Sequence, residues 1–163
     1  MAKMKINGLN DYAKKLSKLN AQSAEACMKH AVYSGAGLVA DAIRANIQAL
    51  PEFTGSWQNY KEPIYGVSTT QKQGLLKGLG TSEIMNDSGY VNTKISFAGY
   101  NDHVTEKYPQ GQPNILVARS LESGSSIGDK IPFVRPAVSR TRTAAIKIMA
   151  IKADEFIENI MEG

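Results

Sequence analysis

Between residues 91 and 97, Val91, Thr93, Ile95 and Phe97 alternate with Asn92, Lys94 and Ser96, the period of a strand with one buried face. Asp87-Ser88-Gly89 just before it is a turn, so the stretch predicts one arm of a hairpin. A hairpin that is apolar on one side is marginal alone and needs a second layer to cover that side. The chain offers helices for the purpose, at both ends.

Toward the N-terminus, Leu9, Tyr12, Leu16 and Leu19 recur at helical spacing, with Lys14, Lys15 and Lys18 on the other side. Asn10 suits the cap and Asp11 the first turn, where the helix dipole favours an acid. Residues 3–8 before it predict a short edge strand or ordered arm. A longer helix is expected over residues 21–50, where Ala24, Met28, Ala31, Gly35, Leu38, Ala42, Ile43 and Ile47 keep the period until Pro51 stops it. Gly35 and Gly37 inside it each cost about 1 kcal/mol against alanine, which predicts a closely packed neighbour. Toward the C-terminus, Val138, Ala145, Met149, Phe156 and Ile160 predict the buried stripe of a last helix, with Pro136 in its first turn. Between these, residues 51–74 read as loop and short extended pieces carrying Trp57, Tyr60 and Tyr65. Residues 75–85 are apolar with two glycines. Tyr108 to Asn114 is a two-proline loop, and Asn114 is expected to cap a short helix that Gly124 ends.

These elements describe one α+β domain over residues 1–163, an antiparallel β-sheet packed against long N-terminal and C-terminal helices. Its parts are helices at about 10–50, sheet and loops at about 51–113, a short helix at 114–123 and the last helix at about 136–161. The length of 163 residues is enough for a substantial core. Hydrophobic residues at 42% and charged ones at 21% exclude a disordered chain, and no apolar run approaches the ~18–20 residues of a membrane span. The basic N-terminus lacks the apolar run of a signal peptide, and Cys27 has no partner for an internal disulfide, so synthesis in a reducing cytoplasm is expected.

Residues able to do chemistry are sparse. Gly124-Ser125-Ser126-Ile127-Gly128 matches the G-x-S-x-G of a serine nucleophile elbow, but that motif needs a strand before it, a helix after it and a histidine downstream. An extended, proline-containing segment follows instead, and the histidines, His30 and His103, both precede it. Asp102, His103 and Glu106 sit where an ordinary solvated turn places them. Two isolated histidines and one cysteine do not give metal-ligand spacing. Gly74 to Ser82 has the residue types of a phosphate loop without the order. No catalytic residue, metal ligand or cofactor is therefore assigned.

The last helix has an unusual charge layout. Arg135, Arg140, Arg142, Lys147 and Lys152 occupy its first part, and Asp154, Glu155, Glu158 and Glu162 its last turns. That opposes the helix dipole, and Asp154, Glu158 and Glu162 form a like-charge column. The two ends are expected either to meet opposite charges on neighbouring copies, as in a head-to-tail ring, or to be simply solvated.

Leu121-Glu122-Ser123-Gly124, followed by Ile131-Pro132-Phe133-Val134-Arg135-Pro136-Ala137, resembles the neck or tail-completion proteins that join head to tail in long-tailed bacteriophages, including the minor tail-type proteins of lambda-like siphophages and prophages. Members usually carry Glu-Phe-Gly-Thr and then Pro-Phe-Leu-Arg-Pro-Ala. Here Ser123 replaces the aromatic and Ser125 the threonine, while the second half is intact. The opening Ile6-Asn7-Gly8-Leu9, the long helix leading to Thr54-Gly55, and Leu75-Leu76-Lys77-Gly78-Leu79 ahead of the strand are similar too, so the likeness spans most of the chain. It implies a non-enzymatic virion protein that assembles from copies of itself as a ring at the head–tail junction, after a stage in the host cytoplasm. The implied partners are adjacent head-connector and tail proteins, with unspecific contact to DNA in the channel. Phe133 would be a core anchor, and Arg135 a partly buried ion-pair or interface residue with Glu122 as partner. The loops at 51–74 and 101–113 would order against neighbours. Glu122, Gly124, Phe133, Arg135, Pro136, Arg140, Arg142, Asp154, Glu158 and Glu162 are the structural and interface candidates. Two other classes stay open: a basic nucleic-acid-binding protein, from the net charge of +4 and the start of the last helix, and more remotely a small serine hydrolase.

Overall fold

A computed structural model describes residues 21–53, 65–126 and 128–162. The expected arm at 3–8, the Asn10-capped helix at 9–19, Thr54-Gly55, Trp57, Tyr60 and Ile127 lie outside the described residues.

The described chain is four helices and two short antiparallel ladders: α1 (Ala21–Gln48), α2 (Thr69–Gly78), β1 (Leu79–Thr81), β2 (Met85–Asp87), β3 (Tyr90–Asn92), β4 (Ile95–Phe97), α3 (Asn114–Ser123) and α4 (Val134–Glu162). This is the expected α+β class, with antiparallel strands against long helices.

The ladders are two halves of one long hairpin. Leu79 pairs with Phe97 and Thr81 with Ile95, then Met85 pairs with Asn92 and Asp87 with Tyr90. Three residues on the first arm (82–84) face two on the second (93–94), so the hairpin is bulged between its ladders. Ser82 spans the bulge, its N–H donating to Lys94 O at 2.7 Å and its Oγ accepting from Lys94 N–H at 3.0 Å. At the tip, Ser88 (φ 55°) and Gly89 (φ 96°) both take left-handed backbone, the two-residue turn that matches strand twist.

α1 and α4 make the most extensive packing contact and run antiparallel. Cys27 Sγ donates to Ala153 O at 3.6 Å, and Asn46 Nδ2 donates to Phe133 O at 2.7 Å near the opposite ends. A Cβ on Gly35 would overlap the Met149 side chain, which is the close approach its glycine predicts; Gly37 has nothing within 4 Å and has no such reason.

The core lies toward one end of this helix pair. Ile43 and Ile47 of α1, with Leu50 just past its end, meet Val67, Leu75, Leu79, Phe97, Val117, Leu121, Phe133 and Ala137, so every layer contributes. In α4 only Ala137 and Ala145 are buried. Of its expected stripe, Met149, Phe156 and Ile160 are half-buried, whereas Val138 is 42% exposed, one position off the buried Ala137.

Two further expectations need correction. Residues 69–74 belong to helix α2, not to a loop. Its start is a capping box: Gln71 N–H donates to Ser68 Oγ, and Ser68 N–H to Gln71 Oε1, both at 3.2 Å. Asn114 does not cap α3. Pro113 holds that place, and the buried Asn114 side chain instead donates to Ala98 O at 2.8 Å, tying the end of the hairpin to α3. The 101–113 loop is closed at its base: Asn101 is 4% exposed, and its N–H donates to Gln112 O at 3.0 Å.

Candidate functional site

The short segment from α3 to the first turn of α4 carries most of the candidate residues. α3 ends at Gly124, whose φ of 81° and ψ of 164° suit only glycine and turn the chain out of the helix. The chain returns as Ile131 N–H donates to Leu121 O at 2.8 Å. That return sets the start of α4 directly beside the Glu122 side chain.

A helix begins with four amides that have no partner within it. Glu122 takes three of them here. Phe133 and Val134 donate to its Oε2 at 2.9 and 3.0 Å, and Arg135 donates to its Oε1 at 3.0 Å. The next residue is Pro136, which has no N–H to satisfy. Carboxylate and proline together therefore close the whole N-terminus of α4, and the negative charge sits where the helix dipole favours it. Burial pushes the Glu122 carboxyl up, but the amides of Val134, Arg135 and Phe133 and the Arg135 guanidinium outweigh it and hold the group below its ordinary value.

Arg135 Nε stands 3.6 Å from Glu122 Oε1, so the expected pairing exists. The Arg135 side chain is 70% exposed and Glu122's only 13%. Arg135 is thus a solvated partner rather than a partly buried one, and the amides carry the carboxylate. Phe133 meets its expectation as a core anchor: it is 2% exposed, edge-on to Phe97 with ring centres 5.7 Å apart.

Asn46 of α1 completes the joint. Its Nδ2 donates to Phe133 O and its Oδ1 accepts from Arg140 Nη2 at 3.1 Å, so one amide holds both the carbonyl before α4 and a cation nearly two turns into it. Sequence reading missed Asn46, although a short amide beside Ile47 at the end of a buried helix face was the signal. The junction thus unites Glu122, Gly124, Phe133, Arg135, Pro136 and Arg140. Arg142, Asp154, Glu158 and Glu162 are exposed further along α4 and do not join it.

The other chemical candidates sit apart. Ser126 is exposed and follows helix α3, where a nucleophile elbow follows a strand. His30 packs against Phe156, ring centres 6.4 Å apart, and His103 N–H donates to Asn101 Oδ1 in its turn. The Cys27 thiol is buried, and burial and the nearby Asp154 push it up. Among the described residues no three His, Cys, Asp or Glu side chains gather as a metal site, and no helix is long and apolar enough to cross a membrane.

Comparison with family models, with curated proteins and with solved structures finds no match to this chain.

Proposed function

We propose that this chain is a non-enzymatic structural protein of the head–tail junction of a long-tailed bacteriophage, a neck or tail-completion component that acts as a ring of copies between head-connector and tail proteins. The Glu122 clamp carries this reading. The segment on which the resemblance rests spends its chemistry inside the protein, since Glu122 is occupied by three amides, Phe133 is core and Pro136 removes the fourth donor. A segment built this way fixes the angle at which a long helix leaves the core. A ring subunit needs that, because small errors in the angle accumulate around a closed ring. α1 and α4 also leave Met28, Tyr33, Ile146 and Ile151 exposed at 41–59%, apolar surface open to neighbouring subunits.

Electron microscopy of particles from a phage or prophage lacking this gene tests the proposal. Filled heads and finished tails that fail to join are expected; intact virions would end it. A nucleic-acid-binding role is the second reading, from the exposed Arg135, Arg142 and Lys147. DNA retardation by the isolated protein that falls steeply with salt would favour it.

A further inference from the structure

One flank of α4 carries a pattern that the core does not use and of which the junction takes only Arg140, through Asn46. At helical spacing, Arg140, Ala144, Lys147, Ile151, Asp154 and Glu158 fall on one flank, and all six are exposed. The spacing of three and four is that of a helix–helix seam. Basic residues fill its first half, Ile151 stands in the middle 44% exposed, and acids fill the second half. Among the described residues, Lys147, Asp154 and Glu158 have no ion-pair partner, although Lys29, Arg44, Lys72 and Lys152 all pair within the chain. No base in the last turn offsets the dipole at the acidic end.

We propose that a second copy of this chain docks on this flank, its α4 antiparallel to the first about a two-fold axis level with the Ala150–Ile151 bond. A helix that is positive in one half and negative in the other is complementary to itself only when one copy is reversed beside the other. Lys147 and Asp154 lie equally far from the Ala150–Ile151 bond, so reversal sets Lys147 against the partner's Asp154, and the same pair forms twice. Ile151 then meets the partner's Ile151, and the column of Asp154 and Glu158 gains the cation it lacks. An end-to-end arrangement is disfavoured because the first turn of α4 is closed by Glu122 and sunk in the core through Phe133 and Ala137. A single helix flank buries less than the roughly 800 Å² per partner of a tight complex, so the pair is weak and salt-sensitive. The pairing concerns the free chain and does not depend on the head–tail reading.

Sedimentation of the full chain at low salt, over tens to hundreds of micromolar, reads it out. A dimer is expected. Lys147→Glu and Asp154→Lys should each weaken it roughly tenfold, since each creates two like-charge pairs. Mixing the two variants should restore it, because in the mixed dimer every altered residue again faces its opposite. Ile151→Cys should give a disulfide-linked dimer on mild oxidation, which end-to-end contact would not. A monomer throughout overturns the proposal and leaves the face to a different partner. So does a dimer indifferent to both charge reversals, or variants that fail to rescue one another while circular dichroism shows each folded.

Discussion

Glu122 separates two accounts of the same pair of residues. Read from sequence, Glu122 and Arg135 are an ion pair across a loop; in the fold the carboxylate serves backbone amides first and the guanidinium second. The accounts predict different mutants. Glu122→Gln should cost about 1.5–3 kcal/mol in urea unfolding, because the charge is lost and an amide NH₂ replaces one of the two accepting oxygens, facing at least one amide donor. Arg135→Ala should cost less than about 0.5 kcal/mol, the usual worth of an exposed pair. The charge also sets a pH dependence. The folded carboxyl is depressed, so the unfolded state binds more protons in acid. The Glu122 contribution is therefore complete above about pH 5 and is lost as pH falls below the ordinary glutamate value of ~4.3 toward the folded one. Stability of Glu122→Gln measured from pH 7 to pH 3 should fall less steeply than that of the unaltered chain. The partnership was legible because both residues flank one loop. The capping was not, since it depends on α4 starting at Val134, two residues before the proline that marks it in the sequence.

At the level of elements, glycines give opposite predictions according to what they face. Gly37 is inside α1 with open space around it, so Gly37→Ala should raise stability by about 0.5–1 kcal/mol. Gly78 ends α2 where a Cβ would run into the Ala98 carbonyl, so Gly78→Ala should lose about 1–3 kcal/mol. Thermal melts of the two variants check both signs. The hairpin and the long helices were readable because periodicity is local and each runs for many residues. α2 was missed because glycines at both its middle and its end blur its apolar period. The Ser68-x-x-Gln71 spacing of its capping box was the sign available. The Asn114 expectation failed because the hairpin, far away in sequence, offers Ala98 O as a better partner than the amides of its own helix. Phe133→Ala, which empties the meeting point of α4 and β4, should cost about 3–5 kcal/mol.

Across the whole molecule, the core is gathered at one end of the α1–α4 pair while the other end extends as two helices with exposed apolar and charged flanks. A protein that worked alone would gain little from helices longer than its core. One that works as a subunit presents them to its neighbours, with the Glu122 joint fixing their direction. The α+β layering followed from pattern alone, but the proposed subunit role rests on the resemblance around Pro132 to Ala137. The physical reading adds the joint and the unused flank to it. The most direct test uses the purified chain itself, added to a lysate of heads and tails from a phage lacking the gene. Plaque-forming particles that rise with the amount added are the predicted result. A lysate that stays non-infectious, with filled heads and complete tails present and the added protein folded, would contradict the account.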